Sequence, residues 1–498
     1  MSKTFSCFLF ISIFGLVLKL ESSPIYFDFN AKDIKNYEAA LALQTLPSDT
    51  IAALPIPSLI ENYTEIIRLL LTENPNLLEK WKEREALRLE NIELYAQKSK
   101  ENSPYILFIQ AEIKLQWAMV YLKFNQKWEA IWRIRAAHRL LKRNVKAYPD
   151  FLPQKKTLGL LAHLLASVPA AYQTWLPLLG ISETDYAPAA RNALKEAAFS
   201  NHIFQKESQL FYFLIEGYLY QNFEKAALQL RKMTGEHKQN QLFKVAYLLL
   251  AMKAREHQSA QIWLAQELEN KQISLKEPYL DYIAAELALH TRKYAKAIFH
   301  YQKFILFYKG NTLIKDAHYK IFLAKWLSKS PDAFSFLEKI KTVGNTNSEV
   351  DKHAAQFAAQ KKIPASVLIE ARLLSDGGED LKALEILESY QKTKLISDFS
   401  QKDWIEFHYR KGRILENLER KKEAKFYYEI VVEKNNNLPH YFAPNAALRL
   451  GKFYAAAQDW EKATFYFEKV LSFSTHEYKN SLDQQAKIEL KKIKEKSK

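Results

Sequence analysis

The sequence predicts an all-α fold, a solenoid in which helical hairpins stack along the chain. The main indication is a spaced pattern, here called the ladder. A small residue starts the pattern, a bulky residue usually follows three positions later, an alanine stands at +12, and apolar residues stand at +16 and +19. The ladder starts at Ala118, Ala285, Ala371, Gly412 and Gly451. Two helices pack closely only where small residues face each other and larger ones fill the space beside them. Composition agrees, because 11 Gly and 16 Pro in 498 residues are too few for an all-β chain.

Residues 1–22 have the pattern of a secretory signal. Lys3 provides a positive start, and Phe5 to Leu18 is an apolar run of 14 residues, shorter than the ~20 that a membrane-spanning helix needs. A cleaved signal is favoured over an uncleaved anchor, so we expect export across the inner membrane. The only cysteine, Cys7, lies in this run, and the mature chain is expected to have no disulfide and no thiolate ligand.

The next two regions depart from the ladder. Residues 23–103 are predicted to be an N-terminal helical region, with helices over Leu59 to Leu71 and Leu78 to Leu94, where apolar residues recur at steps of three and four. Residues 104–203 are predicted to contain one hairpin, followed by an irregular helical segment that includes a helix over Leu158 to Ala166.

The ladder fills residues 204–486, which are predicted to form the repeat array. The alanines expected to open the second helix of each hairpin are Ala226, Ala260, Ala297, Ala333, Ala383, Ala424 and Ala463. Their spacings are 34, 37, 36, 50, 41 and 39 residues, so an irregular turn is expected in the longest interval. The basic tail 487–498 is expected to need no partner, because cations at a helix C-terminus interact favourably with the helix dipole.

Three segments carry a resemblance to a known family. They are Ala371-Arg372-Leu373-Leu374 with Asp376-Gly377-Gly378, Ala443-Pro444-Asn445-Ala446-Ala447-Leu448 with Leu450-Gly451, and Glu477-Tyr478-Lys479-Asn480-Ser481-Leu482. The chain resembles tetratricopeptide-repeat proteins of Bacteroidota envelopes, a family whose period is 34 residues. That resemblance implies a right-handed α-α solenoid in the periplasm or at the outer membrane of a Gram-negative bacterium. It implies no particular activity.

The middle segment has a second, more distant resemblance. Leu158-Gly159-Leu160-Leu161, Val168-Pro169 and Trp175 look distantly like parts of eukaryotic tetratricopeptide-repeat proteins of the outer mitochondrial membrane.

Catalytic signatures are missing from the sequence, which has no G-x-S-x-G, phosphate-binding loop, H-E-x-x-H or cysteine pair. We therefore expect no enzymatic activity, no metal and no cofactor. His163 and His300 are interpreted as packing residues. The acidic run Asp376 to Asp380 could suggest calcium, but Gly378 falls seven residues after Ala371, where a hairpin turn favours a residue that tolerates positive φ.

One set of residues has the pattern of a binding site. Arg372, Arg413 and Lys452 each directly follow the small residue of successive ladders, a position that tends to face the concave groove in tetratricopeptide arrays. Arginine suits bidentate contacts with carboxylate or phosphate, and Tyr409 is predicted to add an aromatic wall. We predict a groove that binds a protein or peptide segment, an acidic segment being one candidate, and that serves as a scaffold.

An alternative for this basic column stays open. Glu370, Glu406 and Glu416 are placed to neutralise its cations as ordinary helix-surface pairs, each of small energy. The equivalent positions of earlier ladders hold Met119 and Glu286, so the column is confined to the C-terminal third.

A second basic stripe comprises Arg135, Arg139, Lys142 and Lys146, at steps of four, three and four on one helix face. It predicts contact with anionic lipid or glycan at the envelope surface, and its alternative is a solvated helix face. The net charge of +16 favours acidic partners. We expect no nucleic acid among them, because the chain is predicted to be exported and contains no recognised nucleic-acid-binding module.

Overall fold

The computed structural model describes residues 28–44, 48, 51–99, 103–168, 176–177, 180–271, 278–360, 363–393, 396, 399–435 and 438–496. Helices joined by short turns and loops make up this part of the chain, and it contains no β-strand, which confirms the all-α prediction. The predicted signal, residues 1–22, lies outside the described residues, as do Pro169, Trp175 and residues 497–498.

The N-terminal part contains α1 (Ala31–Leu41), α2 (Pro55–Thr72), α3 (Pro75–Trp81), α4 (Arg84–Ser99), α5 (Pro104–Lys123), α6 (Lys127–Ala147), α7 (Pro153–Ala166), the 3-10 turn Glu183–Tyr186 and α8 (Pro188–Phe199). Several of these helices begin at a proline, whose missing N–H is not needed in the first turn. The prediction of one helix over Leu78 to Leu94 is wrong in one respect, because a turn interrupts the helix between α3 and α4.

The array that follows contains α9 (Gln205–Tyr218), α10 (Phe223–Glu236), α11 (Gln241–Lys253), α12 (His257–Glu269), α13 (Pro278–His290), α14 (Tyr294–Phe307), α15 (Ile314–Leu327), α16 (Ala333–Lys339), α17 (Glu349–Ala358), α18 (Ser366–Asp376), α19 (Asp380–Thr393), α20 (Gln401–Asn417), α21 (Lys421–Glu433), α22 (Phe442–Ala456), α23 (Trp460–Ser472) and α24 (Lys479–Lys496). Most consecutive helices contact one another along this array, as in a helical-repeat solenoid, and α17 contacts α15 more than either of its neighbours in sequence.

The ladder residues lie inside the hairpins, as the spacing predicts. All seven alanines that were expected to open second helices are at most 1% exposed. At Gly412 and Gly451 the partner helix brings an aromatic ring, Tyr428 or Phe467, so close that even a methyl group would overlap it. Small residues therefore set how closely the two helices of each hairpin approach.

Each hairpin turns at a residue in the left-handed region of backbone space. Gly378 has φ +91°, which agrees with the turn interpretation. Seven residues after Ala118, Ala285, Gly412 and Gly451, the same conformation recurs at non-glycine residues: Asn125, Arg292, Glu419 and Gln458. The turn thus repeats with the register of the ladder, and glycine is not obligatory there.

The 50-residue interval in the ladder holds an unpredicted helix, α17. Asp351 of α17 is buried and accepts hydrogen bonds from the backbone N–H groups of Leu313 and Asp316, at 2.7 and 3.0 Å. These groups lie at the start of α15, where backbone donors lack partners within the helix. The extra helix therefore caps α15 and lengthens the interval.

A buried ionic network ties the N-terminal region to the array. The Lys156 ammonium lies 2.8 Å from a Glu112 oxygen and 3.0 Å from a Glu207 oxygen, and Tyr37 donates a hydrogen bond to Glu207 at 2.7 Å. One cation cannot neutralise two carboxylates in a low-dielectric interior. Burial accordingly raises the pKa of Glu207 to about 7, although Lys156 opposes the shift.

Distant parts of the chain also contact each other across the solenoid. Helix α13 contacts both α2 and α18. The Arg255 guanidinium donates hydrogen bonds of 2.7 and 2.9 Å to the Ser375 backbone oxygen and pairs with Asp380. The turn of the α11/α12 hairpin is therefore fixed against the turn between α18 and α19.

Candidate functional site

The inner face of the C-terminal hairpins is made by their first helices. Helices α18, α20 and α22 contact one another in succession, whereas the second helices α19, α21 and α23 contact each other little or not at all. A stack curves towards the side on which its helices are closer together. The first helices therefore line the concave side, and the second helices lie outside.

Arg372, Arg413 and Lys452 occupy one register on these inner helices. The small residue before each of them is buried against the second helix, which directs the following side chain away from the hairpin interface. Arg372 and Arg413 are half-buried and Lys452 is exposed. Arg372 donates a hydrogen bond to the Tyr319 hydroxyl at 2.9 Å, and Arg413 donates one to the Tyr409 hydroxyl at 3.4 Å.

The predicted neutralising carboxylates are paired with other cations. Glu370 contacts Arg292 at 2.5 Å, Glu416 contacts Arg449 at 2.5 Å, and Glu406 accepts a 2.8 Å hydrogen bond from Arg410. Within the described part of the chain, none of the three column cations forms an ion pair. None of these three carboxylates forms a salt bridge with a column cation, but the charges of Glu406 and Glu416 still act on Arg372 and Arg413 from a longer distance.

Tyr409 does not form the aromatic wall that the sequence suggested. Its side chain is only 2% exposed, and its ring packs against Tyr441 and Phe442 at centroid distances of 5.6 and 5.3 Å. Its hydroxyl donates to the Asn445 side-chain oxygen at 2.9 Å while accepting from Arg413. Tyr409 is therefore a positioning residue, which connects the Arg413 guanidinium to α22.

The surroundings of Arg372 include residues that the sequence did not single out. The Tyr319 ring lies 5.5 Å from the His353 ring and 4.8 Å from the Phe357 ring. Burial, assisted by the Arg372 charge, lowers the pKa of His353 to about 4. His353 is thus neutral near pH 7, and the positive charge at this end of the column belongs to Arg372.

The other end of the column carries a crowded pair of cations. Although Lys452 is exposed, partial desolvation by the neighbouring side chains lowers its pKa, and the charge of Arg449 lowers it further. Arg449 itself is held by Glu416 and by the Asn445 side-chain oxygen at 3.0 Å. An ammonium group repelled in this way is stabilised by an incoming anion, which favours its charged form.

Some side chains of the basic stripe predicted on α6 already contact other residues of the chain. Arg139, Lys142 and Lys146 are exposed, but the Lys142 ammonium lies 3.0 Å from an Asp185 oxygen. Arg135 is half-buried, and its guanidinium lies 5.6 Å from the Trp132 ring centroid. This stripe offers fewer available cations than its sequence suggests.

The described residues contain no group of three or more His, Cys, Asp or Glu side chains placed to hold a metal ion. No helix in the same ranges is long and apolar enough to cross a membrane. A pocket between α5, α6 and α7 is lined only by apolar residues: Leu115, Ala118, Met119, Leu122, Ile134, Leu161, Leu164, Leu165 and Val168.

Comparison of the sequence with protein-family models and with curated proteins gave no match.

Proposed function

We propose that the inner face of α18, α20 and α22 binds an extended acidic segment of a partner protein and that the chain is a non-catalytic scaffold. One observation carries this proposal: Arg372, Arg413 and Lys452 share a register and form no ion pair within the described residues, while Glu370, Glu406 and Glu416 are paired with other cations. Cations in such an arrangement favour an anionic ligand more than a neutral one.

The spacing of the column suggests the form of the ligand. Packed helices lie about 8–10 Å apart, and an extended chain rises about 3.3 Å per residue. Acidic side chains three residues apart would therefore meet successive cations. Tyr319 and Tyr409 already hold the two guanidinium groups in place, which lowers the entropy that binding must remove.

The proposal includes a finer classification and a location. The register of small residues and of left-handed turns supports a tetratricopeptide-type, right-handed solenoid. The apolar segment at residues 1–22 supports export. The resemblance to envelope proteins of Bacteroidota suggests the periplasm or the outer membrane of a Gram-negative bacterium as the destination.

Fluorescence anisotropy with a labelled oligo-glutamate peptide tests the binding proposal. Charge reversal at Arg372→Glu with Arg413→Glu should weaken binding by roughly a hundredfold or more, because each reversal replaces an attraction by a repulsion. The matched control is Arg420→Glu with Lys421→Glu, two exposed cations that are already paired with Glu423 and Glu419 on the turn of the α20/α21 hairpin.

Several results would refute the proposal. They are absence of oligo-glutamate binding to the wild-type chain at low salt, equal binding of oligo-lysine, and equal losses in the column variant and the turn control.

A further inference from the structure

Helix α14 is apolar on two opposite faces. Ala297, Tyr301 and Phe304 are fully buried against its hairpin partner. On the outer side, Phe299, Leu306 and Phe307 are 62%, 66% and 54% exposed, and positions seven or eight residues apart share a helix face. A surface helix normally has a polar outer face, so the exposed apolar face of α14 indicates an interaction site.

The exposed residue Phe299 belongs to a row that follows the outer side of the solenoid. A large exposed apolar side chain occurs two residues after the ladder alanine in several second helices: Trp132, Leu228, Ile262, Phe299, Phe426 and Phe465. Isolated exposed apolar residues are ordinary. Helix α14 differs because three of them lie on one face of one helix.

Charge distinguishes α14 from the other outer helices. Its sequence, Tyr294–Phe307, contains no Asp or Glu, whereas α10, α12, α19, α21 and α23 all contain carboxylates. Lys296 and Lys309 are exposed and form no ion pair within the described ranges. Lys303 is engaged with Asp281 at 3.0 Å. The face therefore combines apolar side chains with available cations and no carboxylate of its own.

This combination favours an anionic lipid surface as the occupant. Interfacial helices place aromatic and aliphatic side chains at the boundary between headgroups and acyl chains, while lysines contact anionic headgroups. A second copy fits less well, because a symmetric contact would bring the same face of two α14 helices together. The unpaired lysines of both copies would then repel each other.

We infer that α14 docks this protein on an anionic bilayer, with the helix lying in the plane of the interface. Phe299, Leu306 and Phe307 enter the headgroup region, and Lys296 and Lys309 contact lipid phosphates. The inference does not depend on the proposed groove, because α14 is an outer helix and the groove is formed by inner helices of other hairpins. A bilayer-bound chain keeps that groove open.

Co-sedimentation with vesicles tests the inference. The wild-type chain should bind vesicles of mixed phosphatidylglycerol and phosphatidylcholine at low salt and bind pure phosphatidylcholine weakly. The variant Phe299→Gln, Leu306→Gln, Phe307→Gln should bind the anionic vesicles roughly a hundredfold more weakly, since each lost side chain removes about a factor of five. Glutamine is a good helix former, and circular dichroism checks that the variant folds.

The matched control is Leu228→Gln, Phe426→Gln, Phe465→Gln, which removes three exposed apolar residues of the same row from other helices. It should bind anionic vesicles as the wild type does. The inference is overturned if the wild type binds no vesicles, if pure phosphatidylcholine is bound equally, or if the α14 variant and the control behave alike. Concentration-dependent dimerisation that only the α14 variant abolishes, without vesicle binding, would instead identify a second copy as the occupant.

Discussion

Replacing Gly451 with alanine tests the packing of the hairpins. A Cβ at this position would lie 2.6 Å from the nearest Phe467 ring carbon, whereas ordinary contacts begin near 3.4 Å. Phe467 is fully buried, so its ring cannot relieve the overlap by turning into solvent. Overpacking of this kind destabilises a protein by about 1–3 kcal/mol. Replacing a glycine inside a helix with alanine stabilises the helix by about 1 kcal/mol. We therefore expect net destabilisation of up to about 2 kcal/mol.

Gly235→Ala is the matched control. Gly235 lies in α10, and no heavy atom lies within 4 Å of the place that an added methyl group would take. The same change should therefore stabilise the chain by about 0.4–1 kcal/mol. The difference between the two variants isolates the packing cost.

Urea unfolding measures the difference in stability between the two variants. Hydrogen exchange shows where the stability is lost, because a substitution in a repeat array mainly destabilises the altered hairpin and its neighbours. Exchange in α22 and α23 should accelerate in Gly451→Ala. Adding Phe467→Leu should restore part of the loss, as expected for residues in direct contact. If Gly451→Ala were as stabilising as Gly235→Ala, the packing argument would be refuted.

Three further predictions concern the interior. Lys156→Met should lower the free energy of unfolding by about 3–5 kcal/mol, because it leaves two buried carboxylates without their cation, and the urea midpoint measures this loss. Burial raises the pKa of Glu207 from 4.5 to about 7 against the opposing charge of Lys156, so between these values the folded chain binds more protons than the unfolded chain. Stability should thus fall by up to about 3 kcal/mol as pH rises through this window, and an unchanged slope in Glu207→Gln would contradict the assignment. Gly378→Ala should cost about 2 kcal/mol or more in urea unfolding, because its methyl group would overlap the Arg255 backbone oxygen at a residue with φ +91°.

The features predicted well from the sequence are local and periodic. The ladder alanines and the turn at Gly378 depend on residues within one hairpin, and every hairpin repeats them. Helix α17 was missed because it is short and lies outside the ladder. Its role depends on Asp351 reaching the start of α15, a contact between different hairpins.

The candidate site also combines features that the sequence predicts with contacts that it does not. Sequence register was enough to place Arg372, Arg413 and Lys452 on successive inner helices. It did not reveal that Glu370 pairs with Arg292, a residue 78 positions earlier, since that pair requires α13 and α18 to meet across the solenoid. Tyr409 was misjudged because its burial depends on the rings of the next hairpin.

Photo-crosslinking with a bound oligo-glutamate peptide tests the central claim most directly. The peptide carries a photoreactive group at its centre, and mass spectrometry of the digested product locates the attachment. The proposed function predicts crosslinks to the inner helices α18, α20 and α22, lost in Arg372→Glu with Arg413→Glu. Crosslinks confined to the outer helices α19, α21 and α23, or unchanged by the charge reversal, would contradict it.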